Sequence, residues 1–284
     1  MKLSYCISTL NRSELLDNTL FTFTKQRFPK KEFEIVVLDD NSGKEVREVC
    51  EKYKGQINIH YIRVEHESSW RDCATGLNTC LRKATGEILA AGHPEIVLSP
   101  LGFDLLYYGH FGKYPLIFQN DNNDENKLCV LMQNTFLPEG MFQLKEYKTI
   151  PYPELVEKYD PGLISKLPNI KAMGNFVCMS MKATTWKEMG GFYEFRTWGG
   201  MDPDHQSRRH EWKVADVLID LPDGICLHQW HPISQQSQEV RDGKRLLESR
   251  PWQEATTYLP FLSEEHDKEM EHEIVFEEYW PYGK

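Results

Sequence analysis

The sequence predicts an α/β protein, a mostly parallel sheet flanked by helices, on three observations. Short apolar runs alternate with stretches whose apolar residues recur at helical spacing, the pattern of strands and amphipathic helices taken in turn. Each apolar run stops at a polar, turn-forming loop, so the strands are short and covered on both faces. Successive strands are separated by enough chain for helical crossovers, which are right-handed and leave ligand-binding loops at the carboxyl ends of the strands.

In chain order, Lys2 to Leu10 reads as a first buried strand. Asn11-Arg12-Ser13 then supplies cap chemistry for a helix over Glu14 to Thr24, with Leu15, Leu16 and Leu20 as its apolar face. Glu34 to Leu38 is a second strand, ending in the acidic turn Asp39-Asp40-Asn41-Ser42-Gly43. A helix over Lys44 to Lys54, a strand over Ile57 to Val64, a helix over Cys73 to Ala84 and a strand over Glu87 to Ala91 complete a βαβαβαβ run. His110 to Ile170 loses the rhythm and reads as insertions and loops around short strands such as Leu128 to Met132. Phe176 to Met181 is strand-like, Ala183 to Met189 helical, and Gly224 to Leu227 a late strand. The main domain is residues 1–232, in halves of 1–109 and 110–232. Residues 233–284 read as a charged helical tail, with helices around Gln235 to Glu248 and Glu264 to His272.

With 284 residues, 40% hydrophobic and 27% charged, the chain has the profile of a soluble globular protein with a full core. Its net charge of −10 denies it a general basic footprint for nucleic acid. The seven cysteines are scattered, odd in number and free of any Cys-x-x-Cys pair, which excludes a disulfide framework or zinc knuckle and points to a reducing compartment. No apolar run nears the roughly 18 residues of a membrane span. A cytoplasmic, unanchored protein is the expectation.

Two constellations carry chemistry. Ser8 to Arg12, Asp39 to Ser42 and His93-Pro94-Glu95 all follow predicted strand ends, so a parallel sheet gathers them on one edge, where one ligand can touch all three. Carboxylates there accept hydrogen bonds from a nucleobase or ribose, Arg12 or Arg71 pairs with phosphate, and Glu95 suits a divalent cation. Turn propensity alone also explains Asp39 to Gly43. The second constellation is Gly190-Gly191-Phe192, then Trp198-Gly199-Gly200-Met201-Asp202-Pro203-Asp204. The glycines admit a ligand close to the main chain, and Pro203 is expected to bias Asp202 away from helical geometry as a rigid base. The alternative, a helix cap over Gln206 to Trp212, suits Asp204 better.

Together these motifs resemble family 2 glycosyltransferases of the GT-A fold. Ser8-Thr9-Leu10-Asn11-Arg12 resembles that family's opening loop, Glu34 to Ser42 its second strand and acidic loop, Gly76 to Ile88 the helix and strand before its metal motif, and Gly190 to Asp202 its acceptor and base loops. The resemblance spans roughly residues 3 to 231. It implies a nucleotide-sugar donor, most simply a uridine one, bound by Thr9, Asn11, Arg12, Asp39, Asp40, Arg71 and His93, with Asp39 near the nucleobase. It implies Asp202 as general base, with Trp198, Gly199, Gly200, Met201 and Asp204 on the acceptor. The two halves become a nucleotide-sugar-binding half and an acceptor half.

Two departures stand out. The family's Asp-x-Asp reads His93-Pro94-Glu95 here, keeping a carboxylate only at Glu95, and Met201 replaces an acidic residue before the base. The implied cofactor is a divalent cation, Mn2+ or Mg2+, with His228 or His231 as a further ligand. Two histidines three apart on an extended segment point to different sides, so one of them is expected to bind. The implied reaction is inverting transfer to an acceptor hydroxyl, whose owner is open among a glycan, a lipid-linked sugar, a protein and a modified base. The competing reading is a GT-A domain that has lost catalysis and binds a nucleotide or glycan.

Overall fold

The structure is a computed structural model describing residues 1–66, 73–121, 126–169, 178–193, 201–232, 270–271 and 273–283, except the side chains of residues 202 and 203. It opens with β1 (Leu3–Thr9), α1 (Ser13–Thr24), β2 (Phe33–Asp40), α2 (Lys44–Lys52), β3 (Ile59–Val64), α3 (Cys73–Lys83) and β4 (Ile88–Gly92), the alternation expected. Next come β5 (Ile96–Val97), α4 (Gly102–Tyr108), β6 (Leu116–Phe118), β7 (Leu128–Leu131), β8 (Gln133–Phe136), α5 (Leu144–Thr149), α6 (Tyr152–Tyr159) and α7 (Leu163–Lys166). The remainder comprises β9 (Cys178–Lys182), α8 (Ala183–Met189), α9 (Met201–Glu211), β10 (Ala215–Ile219), β11 (Ile225–His228) and β12 (Ile274–Trp280).

Among the described residues, nine strands form one sheet in the order β12-β3-β2-β1-β4-β9-β7-β10-β6. The run β3-β2-β1-β4 is parallel, with Thr9 level with Asp39 at the carboxyl edge. Beyond β4 the sheet turns mixed, because β9 pairs antiparallel with both β4 and β7. A second sheet, β5-β11-β8, lies past that seam.

Two-residue alternation divides the core. Leu3, Tyr5 and Ile7 of β1 join Leu16, Leu20 and Phe23 of α1 and Phe103 of α4 on one face. Cys6 joins Ala74, Leu77 and Cys80 of α3 and Trp186 of α8 on the other. Each fully buried large apolar side chain contributes about 1.5 to 3 kcal/mol. Helix α3 lies so close to β1 that a Cβ at Gly76 would meet Ser8 Oγ at 2.1 Å, so the start of α3 sits over the carboxyl end of β1.

Three expectations are corrected. Residues 110–170 are more than insertions and loops: α5 to α7 bury Tyr147, Tyr152, Leu155, Val156 and Leu163 against Val97, Ile225 and Leu227 of the second sheet. The tail does not stay helical, since Ile274–Trp280 pairs antiparallel with β3 as an edge strand of the main sheet. Its alternating burial, half-buried then exposed up to buried Trp280, is a strand period. The predicted helix Gln235 to Glu248 lies outside the described residues, as does most of Glu264 to His272. Lastly, Asp202 and Pro203 are inside α9, not before it; proline fits a first helical turn because amides there need no intrahelical partner.

Candidate active site

Because β1, β2 and β4 are parallel neighbours, their carboxyl-end loops lie side by side, and side chains tie them together. Asn11 and Asn41 both adopt left-handed backbone geometry, φ 54 and 64, which asparagine tolerates. The Asn11 amide donates to Ser42 Oγ (2.9 Å), and the Gly43 amide donates back to Asn11 Oδ1 (3.1 Å). Arg12 crosses to the β4 loop, its guanidinium 2.8 Å from Glu95 Oε1. Thr9 is buried with its hydroxyl unpartnered at the end of β1.

Asp39 is turned inward. Its Oδ1 accepts from the Ser42 amide at 2.9 Å, and its Oδ2 accepts from the Tyr61 hydroxyl at 2.5 Å and from Arg63 at 2.9 Å. It is fully buried, and these bonds make it the organiser of the acidic loop. Asp40 Oδ1 is 3.1 Å from His66 Nε2, both side chains buried.

Glu95 is the centre of the site. Its backbone is pinned from two directions: Thr19 of α1 donates to the Pro94 carbonyl (2.7 Å), and the Gln229 amide donates to the Glu95 carbonyl (3.0 Å). Asn18 of α1 in turn donates to Gln229 Oε1 at 2.7 Å. Around Glu95 Oε1 stand His93 Nδ1 at 3.4 Å, His228 Nε2 at 3.5 Å and His231 Nε2 at 3.4 Å, beside Arg12. Burial alone would raise the Glu95 pKa, but hydrogen bonding to His228, His231 and His93 outweighs it and holds the carboxyl well below its usual range.

The two late histidines meet after all, against the expectation that one would turn away. Strand β11 ends at His228, and Gln229, clamped to Glu95 and to the Leu15 carbonyl, separates it from the loop that carries His231. The Nδ1 atoms of His228 and His231 lie 3.0 Å from the carbonyls of Gln229 and Pro232. A carbonyl only accepts, so in each of these bonds Nδ1 carries the proton, which leaves Nε2 as the atom facing the Glu95 carboxylate. Glu95 Oε2 is buried without a hydrogen-bond partner, and ligand atoms of Glu95, His228 and His231 all lie within 4.8 Å of one another. A carboxylate with two imidazoles oriented by carbonyls suits a divalent transition ion.

The other sequence-predicted residues are placed as follows. Arg71, Trp198, Gly199 and Gly200 lie outside the described residues, as does the Asp202 side chain. Met201 is buried in the core behind α3, with Cys73 Sγ 3.9 Å from its Sδ; it packs and has no face for an acceptor, contrary to expectation. Asp204 Oδ2 accepts from Arg208 Nε at 2.8 Å, four residues on in the same helix. Sequence reasoning missed Gln229, Tyr61 and Arg63. An amide between two histidines and two residues on a strand give no signal until the partners are known.

A parallel β3-β2-β1-β4 half, with its loops joined at one edge and a carboxylate–histidine cluster at the seam to a mixed half, defines the GT-A glycosyltransferase fold. The glycosyl transferase family 2 model matches residues 4–91. A validoxylamine A glucosyltransferase from Streptomyces hygroscopicus subsp. jinggangensis is 27% identical over 228 residues, covering 73% of this chain and 51% of the relative. This chain thus spans about half of that relative's length. The crystal structure of S. aureus TarS 1–349 in complex with UDP-GlcNAc superposes with a TM-score of 0.55 at 18% identity, covering 84% of this chain and 61% of that one. The mannosyltransferase PcManGT from Pyrobaculum calidifontis, in complex with GDP-Man and Mn2+, gives a TM-score of 0.53 at 17% identity, covering 84% and 59%. Among the described residues no helix is long and apolar enough to cross a membrane.

Proposed function

We propose that the protein is an inverting glycosyltransferase that moves a sugar from a nucleotide-diphosphate donor, a UDP-sugar, to an acceptor hydroxyl. The convergence of Glu95, His228 and His231 beside Arg12, at the edge where the family 2 segment ends its strands, carries this reading. Glu95, His228 and His231 hold a divalent cation, Mn2+ or Mg2+. Such an ion supplies positive charge to the diphosphate as negative charge gathers on the leaving group. Arg12, half-buried at the same edge, is placed to pair with a phosphate once the ion takes over Glu95. The Thr9 hydroxyl and the Asn11 loop form the floor under the nucleoside.

Asp202 is the general base. Support comes from its neighbour in the chain: Met201 touches Cys73 at the start of α3, and Gly76 of α3 lies against Ser8 near the end of β1. An ordinary aspartate, of pKa ~3.9, is ionised at neutral pH and takes the acceptor proton without a special shift. Attack from the side opposite the leaving group then inverts the anomeric centre.

The test is nucleotide release from a panel of UDP- and GDP-sugars with Mn2+. One donor turns over, Asp202→Asn abolishes transfer while UDP still binds, and Glu95→Ala or chelation weakens donor binding. Full activity in Asp202→Asn removes it from its role, and a protein that binds UDP but turns over no donor is a binding module.

A further inference from the structure

We propose that Phe136, with Asn134, forms a stacking platform for a neutral pyranose ring of the acceptor, on the side of Glu95 away from Asp39. The proposal rests on the transferase reading above. Strand β8 pairs in parallel with β11, placing Asn134 level with Cys226 and Phe136 level with His228. Side chains level with one another across a sheet share a face, so Asn134, Phe136 and His228 point the same way. The Phe136 ring lies 4.6 Å from the His228 ring, tilted by 45°, and is 58% exposed.

An aromatic ring so open, in contact with a residue of the cation site, is an apolar surface waiting for a partner. It is also held rigidly. The Leu137 amide donates to the His228 carbonyl at 2.9 Å, and Thr135, facing the other way, donates to Asp160 Oδ2 at 2.8 Å. Trp230, two residues beyond His228, is likewise exposed.

The order of groups says which ligand meets this face. Arg12, from the loop after β1, meets Glu95; β5 follows Glu95 in the chain, His228 is on the middle strand of the second sheet, and Phe136 is on the outer strand, farthest from β5. The donor's nucleotide occupies the β1 and β2 side, so the ring reaching Phe136 comes with the acceptor. From Leu128 to Leu144 there is no lysine or arginine and one acid, Glu139. This stretch offers no cation to a phosphate or a uronate, whereas an aromatic face and a half-buried amide suit the C–H face and hydroxyls of an uncharged sugar.

Saturation-transfer NMR with methyl β-D-glucopyranoside and methyl N-acetyl-β-D-glucosaminide tests this, with UDP and Mn2+ present and UDP binding measured by calorimetry in parallel. The wild type and Phe136→Trp saturate the ring C–H protons of one probe. Phe136→Leu, which fills the same space without a π face, binds that probe about fivefold more weakly, the loss expected of an aromatic contact. Equal binding by Phe136→Leu, or no binding of either glycoside by a wild type that binds UDP, overturns the platform. Glycoside binding that depends on Phe136 in a protein that does not bind UDP instead leaves the platform standing and removes the transferase reading.

Discussion

At Glu95 a buried carboxylate faces three imidazole nitrogens and a guanidinium, none farther than 3.5 Å. Removing a carboxylate from water costs several kcal/mol, repaid only by close cations with good geometry. Here the Arg12 guanidinium, 2.8 Å from Glu95 Oε1, is such a close cation. The same reasoning applies to Asp39, whose two oxygens are satisfied by Tyr61, Arg63 and the Ser42 amide. Tyr61→Phe removes one charge-assisted bond and nothing else. It is expected to lower stability by about 1.5 to 3 kcal/mol, read as a lower urea midpoint at unchanged slope; an unchanged midpoint contradicts the Asp39 network. Glu95 is legible in the sequence because it follows a strand end, where ligands gather. The inward turn of Asp39 is not, since its partners Tyr61 and Arg63 come from the next strand, where their side chains carry no mark of that role.

Among the elements, the βαβαβαβ run and α8 are legible because each satisfies its own periodicity locally. The elements misread are those fixed by distant partners. β12 is charged at Glu277 and Glu278 and reads as helix, yet it is held by β3, and its Trp280 stacks on Tyr61 with rings 5.7 Å apart. α9 begins two residues before its proline because Met201 is buried against α3, a contact no local rule contains. α9 also carries His205, buried and stacked on Trp186, with Arg209 bridging it to Asp216. Burial, reinforced by Arg209 and Arg208, keeps His205 well below its ordinary value. His110 is lowered to about 3 by burial, with Lys182 adding to it.

Both groups have one sign. Below a pH of about 6.5 the unfolded chain takes up a proton at each histidine that the native state refuses, so stability falls as pH drops from there towards 3, by up to about 1.4 kcal/mol per unit for each group. Urea unfolding at about pH 7 and pH 5 should show His110→Gln losing less stability on acidification than the wild type. An equal loss means that His110 is protonated in the fold.

Across the whole molecule the site sits at a seam. The parallel half and the loop after β4 supply Thr9, Asn11, Arg12 and Glu95; the second sheet and the loop after it supply His228, Gln229 and His231. The family match over residues 4–91 covers Thr9, Asn11 and Arg12 and stops short of Glu95. The most direct test of the site is the anomalous difference map of a crystal soaked with Mn2+ and UDP. A peak bounded by Glu95, His228 and His231, beside density for the diphosphate, is the predicted result. Clear nucleotide density with no peak between those three side chains would contradict it.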